Sequence, residues 1–334
     1  MEENSYEELL GLFKEKGGFL HKNLTIKKNK NNGLSIRAVN DIEANEDLIN
    51  VPYNLLIPVE EIKSLNKFED KFKELFFKTL NSNSQYLDDH PLNCNNLELE
   101  KISNVIKNNE NLYKNFLLKF EKFNSLEEEN KKIELFAATR AIRLKKYNKK
   151  FFMPIMDFVN YNYNGLTYIM GKNGNVYIKS EKFIKKNDEI FVNYTPSTQE
   201  AISFYFEHGF IDKSFNSFKI KKNELKLNLS NISTFNKNYF LKNGNVYTFT
   251  ENIDFENNNF SKNFRKLLEI FPKHQRYIMA QKILNIYKNS ISLNTNDNYL
   301  KNSVILKNFY KSVELYINII DNYLELIKKR YEKN

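Results

Sequence analysis

The stretch MPIMDFVNYNYNG, Met153 to Gly165, decides how this chain is read. It is a run of apolar residues suited to a core, yet Asp157 and Asn160 interrupt it and a cluster of Asn, Tyr and Gly ends it. A polar group buried without a partner costs a few kcal/mol, roughly 1–3 by mutational data, so these side chains need something to bind. On the sequence alone that something is a ligand or the fold itself.

The flanking sequence supplies a pattern. ATRAIRL (Ala138 to Leu144) precedes the stretch, and LTYIM and NVYIKS follow it, joined by GKNG as a hairpin. EIFVNYT then reads as a strand after the turn KKND, and TQEAISFYFEHGF as a helix ended by Gly209. The tetrapeptide FVNY occurs at Phe158 to Tyr161 and again at Phe191 to Tyr194, but its surroundings differ, so no structural repeat is inferred.

Toward the N-terminus, Ser5 to Lys16 reads as a helix stopped by Gly17 and Gly18. LTIKK and LSIRAV form a hairpin around KNKNNG, whose Asn-Gly pair is a turn signal. Two extended runs follow, confined to edges or ends by Pro52 and Pro58. From Val59 to about Tyr147 the pattern is helical: KFEDKFKELFFKTL and NLYKNFLLKFEKF repeat apolar residues three and four apart, with Asn-rich loops between. LEEENKKIELFAATRAIRL continues the helical pattern, carrying Ile133, Phe136, Ala137 and Ile142 toward a core. RAIRLKKYNKK, the densest basic segment, reads as a solvated helix end and loop. Beyond Asp212 come a strand-like pair, FKIKKNELKLNL with NVYTFT, and then helices. The last carries Leu306, Phe309, Val313, Tyr316, Ile320, Leu324 and Ile327 on one face.

Composition bounds the function. The 334 residues allow roughly two domains, and 28 Phe and 20 Tyr argue against disorder. The single cysteine, Cys94, can form no internal disulfide, which fits a reducing compartment; a signal segment and a membrane-spanning run are both absent from the sequence given, so a cytoplasmic or nuclear address is expected. The net charge of +10 favours contact with nucleic acid, an anionic membrane or an acidic protein, although the charge is spread widely along the chain. There is no GxxxxGK[ST] loop, dinucleotide fingerprint or GxSxG elbow, and His21, His90, His208 and His274 lie too far apart to mark a metal site.

With these segments in this order, the chain resembles the SET-domain protein methyltransferases, most closely the class of the plant Rubisco large-subunit lysine methyltransferase. NNGLSIRAVNDIEANEDLINVP looks like the family's glycine hairpin and Val-Pro strand, and ATRAIRL like its Ser-Arg-Ala helix. MPIMDFVNYN resembles the Pro-x-x-Asp-x-x-Asn-His segment, and DEIFVNYTPSTQEAISFYFEHGFID the strand, tyrosine, helix and Tyr-Gly-Phe ending. Three positions depart from the pattern: Asn31 for Gly, Tyr161 for His, and His208 for Tyr.

The resemblance implies an α+β chain: a SET-domain β-fold with pseudoknot over residues 1–212, with inserted helices at about 59–139, then a mainly helical, substrate-binding-like domain over 213–334. It implies transfer of a methyl group from S-adenosylmethionine to a protein lysine. By position, Asn32, Gly33, Arg140, Asn160 and Tyr161 would bind the cofactor, and Tyr194 would be the catalytic tyrosine. Asp157, Tyr205 and His208 would lie on the substrate side, with Phe206 as a further channel wall. For Tyr205 and Phe206, packing within a helix is an equal reading. A protein substrate, with acidic, ribosomal and nuclear proteins as candidates, is the implied partner. Two alternatives stay open: a catalytically altered SET-like binding module, and a basic nucleic-acid-binding protein.

Overall fold

The computed structural model describes residues 4–29, 33–65, 67–144, 147–194, 200–215, 217–221, 224–228, 240–243, 246–256, 259–291 and 303–331. Helix α1 (Asn4–Glu15) is followed by strands β1 (Phe19–Leu20), β2 (Leu24–Asn29), β3 (Gly33–Ala38), β4 (Asp47–Val51) and β5 (Ile57–Pro58). Helices α2 (Lys71–Ser82), α3 (Asn96–Ile106), α4 (Glu110–Asn124) and α5 (Glu128–Thr139) come next. Strands β6 (Ile142–Leu144), β7 (Lys149–Phe152), β8 (Asn160–Leu166), β9 (Ile169–Met170), β10 (Val176–Lys179) and β11 (Phe191–Val192) precede helix α6 (Ala201–His208). The remainder holds β12 (Phe218–Ile220), β13 (Lys226–Asn228), β14 (Phe240–Asn243), β15 (Val246–Phe249), β16 (Ile253–Glu256) and β17 (Asn259–Phe260). It closes with α7 (Lys262–Glu269), α8 (Arg276–Asn289) and α9 (Val304–Tyr331).

The chain divides into two compact units. The first comprises Met1–Asn93, Phe120–Tyr194 and Glu207–Gly209; the second comprises Cys94–Lys119, Thr195–Phe206 and Phe210–Asn334. This differs from the expected boundary near residue 212, because part of the helical insert finds its apolar partners in the C-terminal region. Phe116 of α4 stacks on Phe206 at 4.2 Å, and Ser303, just before α9, bonds to Glu98 of α3.

In the first unit, α1 stops as a Gly-Gly pair dictates. Gly17 takes φ +90°, its N–H reaches Lys14 O at 3.0 Å, and Gly18 N–H reaches Phe13 O at 2.8 Å, which satisfies the last carbonyls of the helix. Strands β2 and β3 pair from Leu24 with Ala38 to Asn29 with Gly33. Helix α2 starts where the Asp70 side chain accepts from the N–H groups of Phe72 and Lys73. The core between these elements is aromatic: Phe77 meets Phe152 edge-on at 5.3 Å, and Phe76 meets Phe158 at 5.7 Å.

Several local expectations are corrected. Helix α5 ends at Thr139, and Ile142 lies on a strand instead of continuing the helix, because β6, β7 and β5 pair as a three-stranded sheet. Lys149 and Lys150 are therefore strand residues, while Lys145 and Lys146 lie outside the described residues. Helix α3, unmarked in the sequence reading, opens with a capping box in which Asn95 and Glu98 satisfy each other's backbone N–H groups. In the second unit the expected strand pair is two three-stranded sheets, β12–β16–β17 and β13–β15–β14. The long face of α9 is as expected, except that Leu324 is half-buried and Tyr323 takes the interior position. No helix among the described residues is long and apolar enough to cross a membrane.

Strands β8 and β11 pair in parallel with a break in register: Phe191 faces Asn160, but Val192 faces Leu166. The five-residue jump is possible because Gly165 lies against the β11 backbone. A Cβ there would come within 2.7 Å of Val192 C and 2.8 Å of Phe191 C. Gly165→Ala should cost about 1–3 kcal/mol or more in urea unfolding, since backbone cannot yield as a side chain does. An unchanged midpoint would contradict this packing.

Glu200, 8% exposed just before α6, is a buried carboxylate of the second unit. Burial raises its pKa from 4.5 to about 7, with Lys221 opposing and Glu224 reinforcing the shift. Because the folded pKa is the higher one, the favourable contribution is complete below pH 4.5 and lost as pH rises through about 7, up to about 3 kcal/mol. Glu200→Gln should therefore raise Tm relative to the parent more on the alkaline side of this window than on the acid side; a pH-independent difference would contradict it.

Candidate active site

Five segments of the first unit converge on one phenol. The Tyr194 hydroxyl donates to Val159 O at 2.5 Å and accepts from Arg140 Nη1 at 3.4 Å. Arg140 caps the end of α5, and the same Nη1 donates to Asp157 O at 2.8 Å while Nε donates to Tyr86 Oη at 3.1 Å. The guanidinium also lies 5.2 Å from the Tyr86 ring centroid. Around the Tyr194 ring stand Tyr161 at 5.3 Å, Tyr168 stacked at 6.5 Å, and His208 at 5.9 Å. The site is thus a hydroxyl fixed at both ends within an aromatic wall.

The polar interruptions of the opening stretch are accounted for in two ways. Asp157 closes a turn on itself: its N–H donates to Met153 O, and its Oδ2 accepts from Met153 N–H, both at 2.8 Å. The residue between them, Ile155, takes φ 69° and ψ −49°, a conformation costly for a β-branched residue. Asn160, by contrast, faces outward from its strand to Leu34 O at 3.0 Å and Glu189 Oε1 at 2.8 Å, both through Nδ2. Among the described residues its Oδ1 accepts no hydrogen bond.

The electrostatics follow from burial. It pushes the Tyr194 phenol up to about 12, with Arg140 opposing and Asp157 adding to the shift. Burial likewise raises the Tyr168 phenol and the Asp157 carboxyl well above their usual ranges, Arg140 opposing both. For Arg140 burial acts downward, but the oxygens of Tyr86, Tyr194 and Asp157 outweigh it and hold the guanidinium charged.

No protein-family model matches the sequence, and no curated protein matches it. Among solved structures the chain is similar to Rubisco LSMT bound to sinefungin and monomethyllysine, with TM-score 0.59 and 13% identity over 98% of this chain and 92% of that one. It is similar also to the SET domain of LSMT bound to lysine and AdoHcy, with TM-score 0.58 and 12% identity over 99% and 92%. The chain has a SET-domain fold.

That is the α+β class expected from the sequence, a SET-domain fold with helices between its strands, followed by a mainly helical region. Within this SET-domain fold, Arg140, Asp157, Tyr161, Tyr194 and His208 are gathered at one place, and Asn160 adjoins Val159, which holds the phenol. Gly33 opens β3 beside Leu34, the residue that accepts from the Asn160 amide; Asn32 lies outside the described residues. Tyr205 and Phe206 belong to the second unit and are packing residues there. Tyr205 is fully buried and donates to Ile305 O at 2.9 Å, and Phe206 is stacked between Phe116 and Phe309. Arg140, expected to offer its fork to a carboxylate, turns Nε and Nη1 inward, and only Nη2 makes no hydrogen bond among the described residues. Tyr86, Tyr168, Arg37 and Glu189 were not singled out in the sequence, although Arg37 and Glu189 sit in quoted motifs, NNGLSIRAV and DEIFVNY, and Tyr168 in the strand LTYIM.

The raised Tyr194 pKa is open to direct measurement. The contribution of the neutral phenol is complete below pH 10.0 and lost as pH climbs toward about 12. In a near-ultraviolet difference titration of native protein against Tyr194→Phe, the missing phenolate signal should appear toward the upper end of that interval. Ionisation near pH 10.0 would mean that the phenol is not held in this network.

Proposed function

We propose that this protein transfers a methyl group from S-adenosylmethionine to the side-chain amine of a protein lysine. The observation that carries the proposal is the Tyr194 hydroxyl, bonded to Val159 O and ringed by Tyr161, Tyr168 and His208, beside the open acceptor of Asn160. The solved structures of similar fold contain AdoHcy or sinefungin with lysine or monomethyllysine, which supports the same reading.

The residues present fit such a cofactor. Asn160 Oδ1 can accept from an ammonium, and Arg140 Nη2 is a charged donor for a carboxylate. The main chains near Asn32, Gly33 and Tyr161 would complete its binding. When bound, the cofactor supplies an electrophilic methyl group on a sulfonium.

The chain's own task is to present a neutral amine. Lysine has a pKa of about 10.4, so releasing its proton near pH 7.5 costs about 4 kcal/mol. A site that excludes water and carries the Arg140 charge disfavours the ammonium and lowers that cost. Tyr194, with its proton committed to Val159 O and a raised pKa, is a poor acid and a poor source of phenolate. Its oxygen instead accepts an N–H from the incoming amine and aims the nitrogen lone pair, catalysis by positioning. His208 and Tyr168 stand beside the Tyr194 ring, and Asp157 holds the turn that sets Val159.

The test incubates purified protein and host lysate with methyl-labelled cofactor and identifies the labelled residue by mass spectrometry. A labelled lysine is expected, with Tyr194→Phe lowering kcat about 10²-fold and leaving cofactor affinity essentially unchanged. Cofactor binding with no protein labelled would favour a binding module, and salt-dependent nucleic-acid affinity with no cofactor binding would defeat the proposal.

A further inference from the structure

The amide of Asn160 has a single orientation that satisfies its surroundings. Nδ2 donates to Leu34 O at 3.0 Å and to Glu189 Oε1 at 2.8 Å. Both partners present acceptors, so a flipped amide would set oxygen against oxygen twice. Glu189 is itself clamped: its Oε2 accepts from Arg37 Nη2 at 2.5 Å, while Arg37 Nη1 donates to Asn187 O at 3.2 Å. The Glu189 side chain is 7% exposed and the Arg37 side chain 33%, so the pair reaches from solvent to the interior. At its inner end stands a nine-tenths-buried Asn160 whose Oδ1 accepts nothing among the described residues.

The geometry points to Arg37 and Glu189 as positioning residues that make Asn160 present an acceptor, so that this site selects a ligand with an α-ammonium group there. The inference rests on the proposed cofactor reading and deepens it. A ligand ammonium gains a hydrogen bond to Oδ1 and stands one amide away from the Glu189 carboxylate. A ligand without that group gains neither.

Calorimetric titration of the full chain compares two probes: S-adenosylhomocysteine, which carries the ammonium, and methylthioadenosine, which keeps the nucleoside and sulfur but lacks the amino-acid end. Glu189→Gln places an N–H against either Arg37 or Asn160, and so should weaken S-adenosylhomocysteine at least about tenfold while leaving methylthioadenosine unchanged. Arg37→Met, at the half-exposed end of the pair, should act in the same direction and tests the idea if the buried variant does not fold. Equal weakening of both probes, or of neither, overturns the inference and leaves the proposed reaction standing. A parent chain that binds neither probe overturns both.

Discussion

The charge of Arg140 is the constraint on which the site depends. A guanidinium taken out of water must be given acceptors, and uncompensated it would cost several kcal/mol. Here the acceptors come from three places in the sequence, Tyr86, Asp157 and Tyr194, none adjacent to another. Solvating one cation therefore fixes the end of α5, the turn before β8 and Tyr194, two residues past β11, relative to one another. The aromatic wall stands around the same phenol: Tyr161 from β8, Tyr168 just beyond it and His208 from the end of α6.

Around that network the chain builds its interior from phenylalanine alongside leucine, isoleucine and valine. Phe76, Phe77, Phe152 and Phe158 pack in tilted and edge-on pairs in the first unit, and Phe218, Phe255 and Phe264 do so in the second. Aromatic pairs favour such geometries, so a core of this kind tolerates a composition rich in Phe and Tyr.

What could be read in the sequence was local. The Gly17–Gly18 stop of α1, the pairing of β2 with β3, the pairing of β9 with β10 and, apart from Leu324, the face of α9 each follow from a few neighbouring residues and stand where they were expected. Arg140, Asp157, Asn160 and Tyr194 were singled out through the order of their motifs, and the fold brings Arg140, Asp157 and Tyr194 into one hydrogen-bonded network. The rest depends on pairings between distant segments. Nothing near Ile142 tells that β7 will draw it into a sheet, and nothing near Tyr86 announces that its hydroxyl will meet Arg140. Tyr205 shows the converse: helical spacing could not separate a channel wall from a core residue, and its bond to Ile305 O, a hundred positions away, decides for the core. Asn95 and Glu98 were a legible cap, obscured by the Asn-rich loop around them.

Ile155 keeps a mirror-image bend that glycine would adopt at far less expense, and it does so with its side chain wholly enclosed. Conformations of this sort cost of order 1–3 kcal/mol and persist only where neighbouring contacts overrule them. Here the overruling contacts are the two Met153–Asp157 bonds and the hydrophobic seat of the isoleucine itself. The Asp157 carboxyl thus pins a bend only two residues ahead of the carbonyl that receives the Tyr194 proton, so the backbone's most costly conformation and the phenol's anchor share one support.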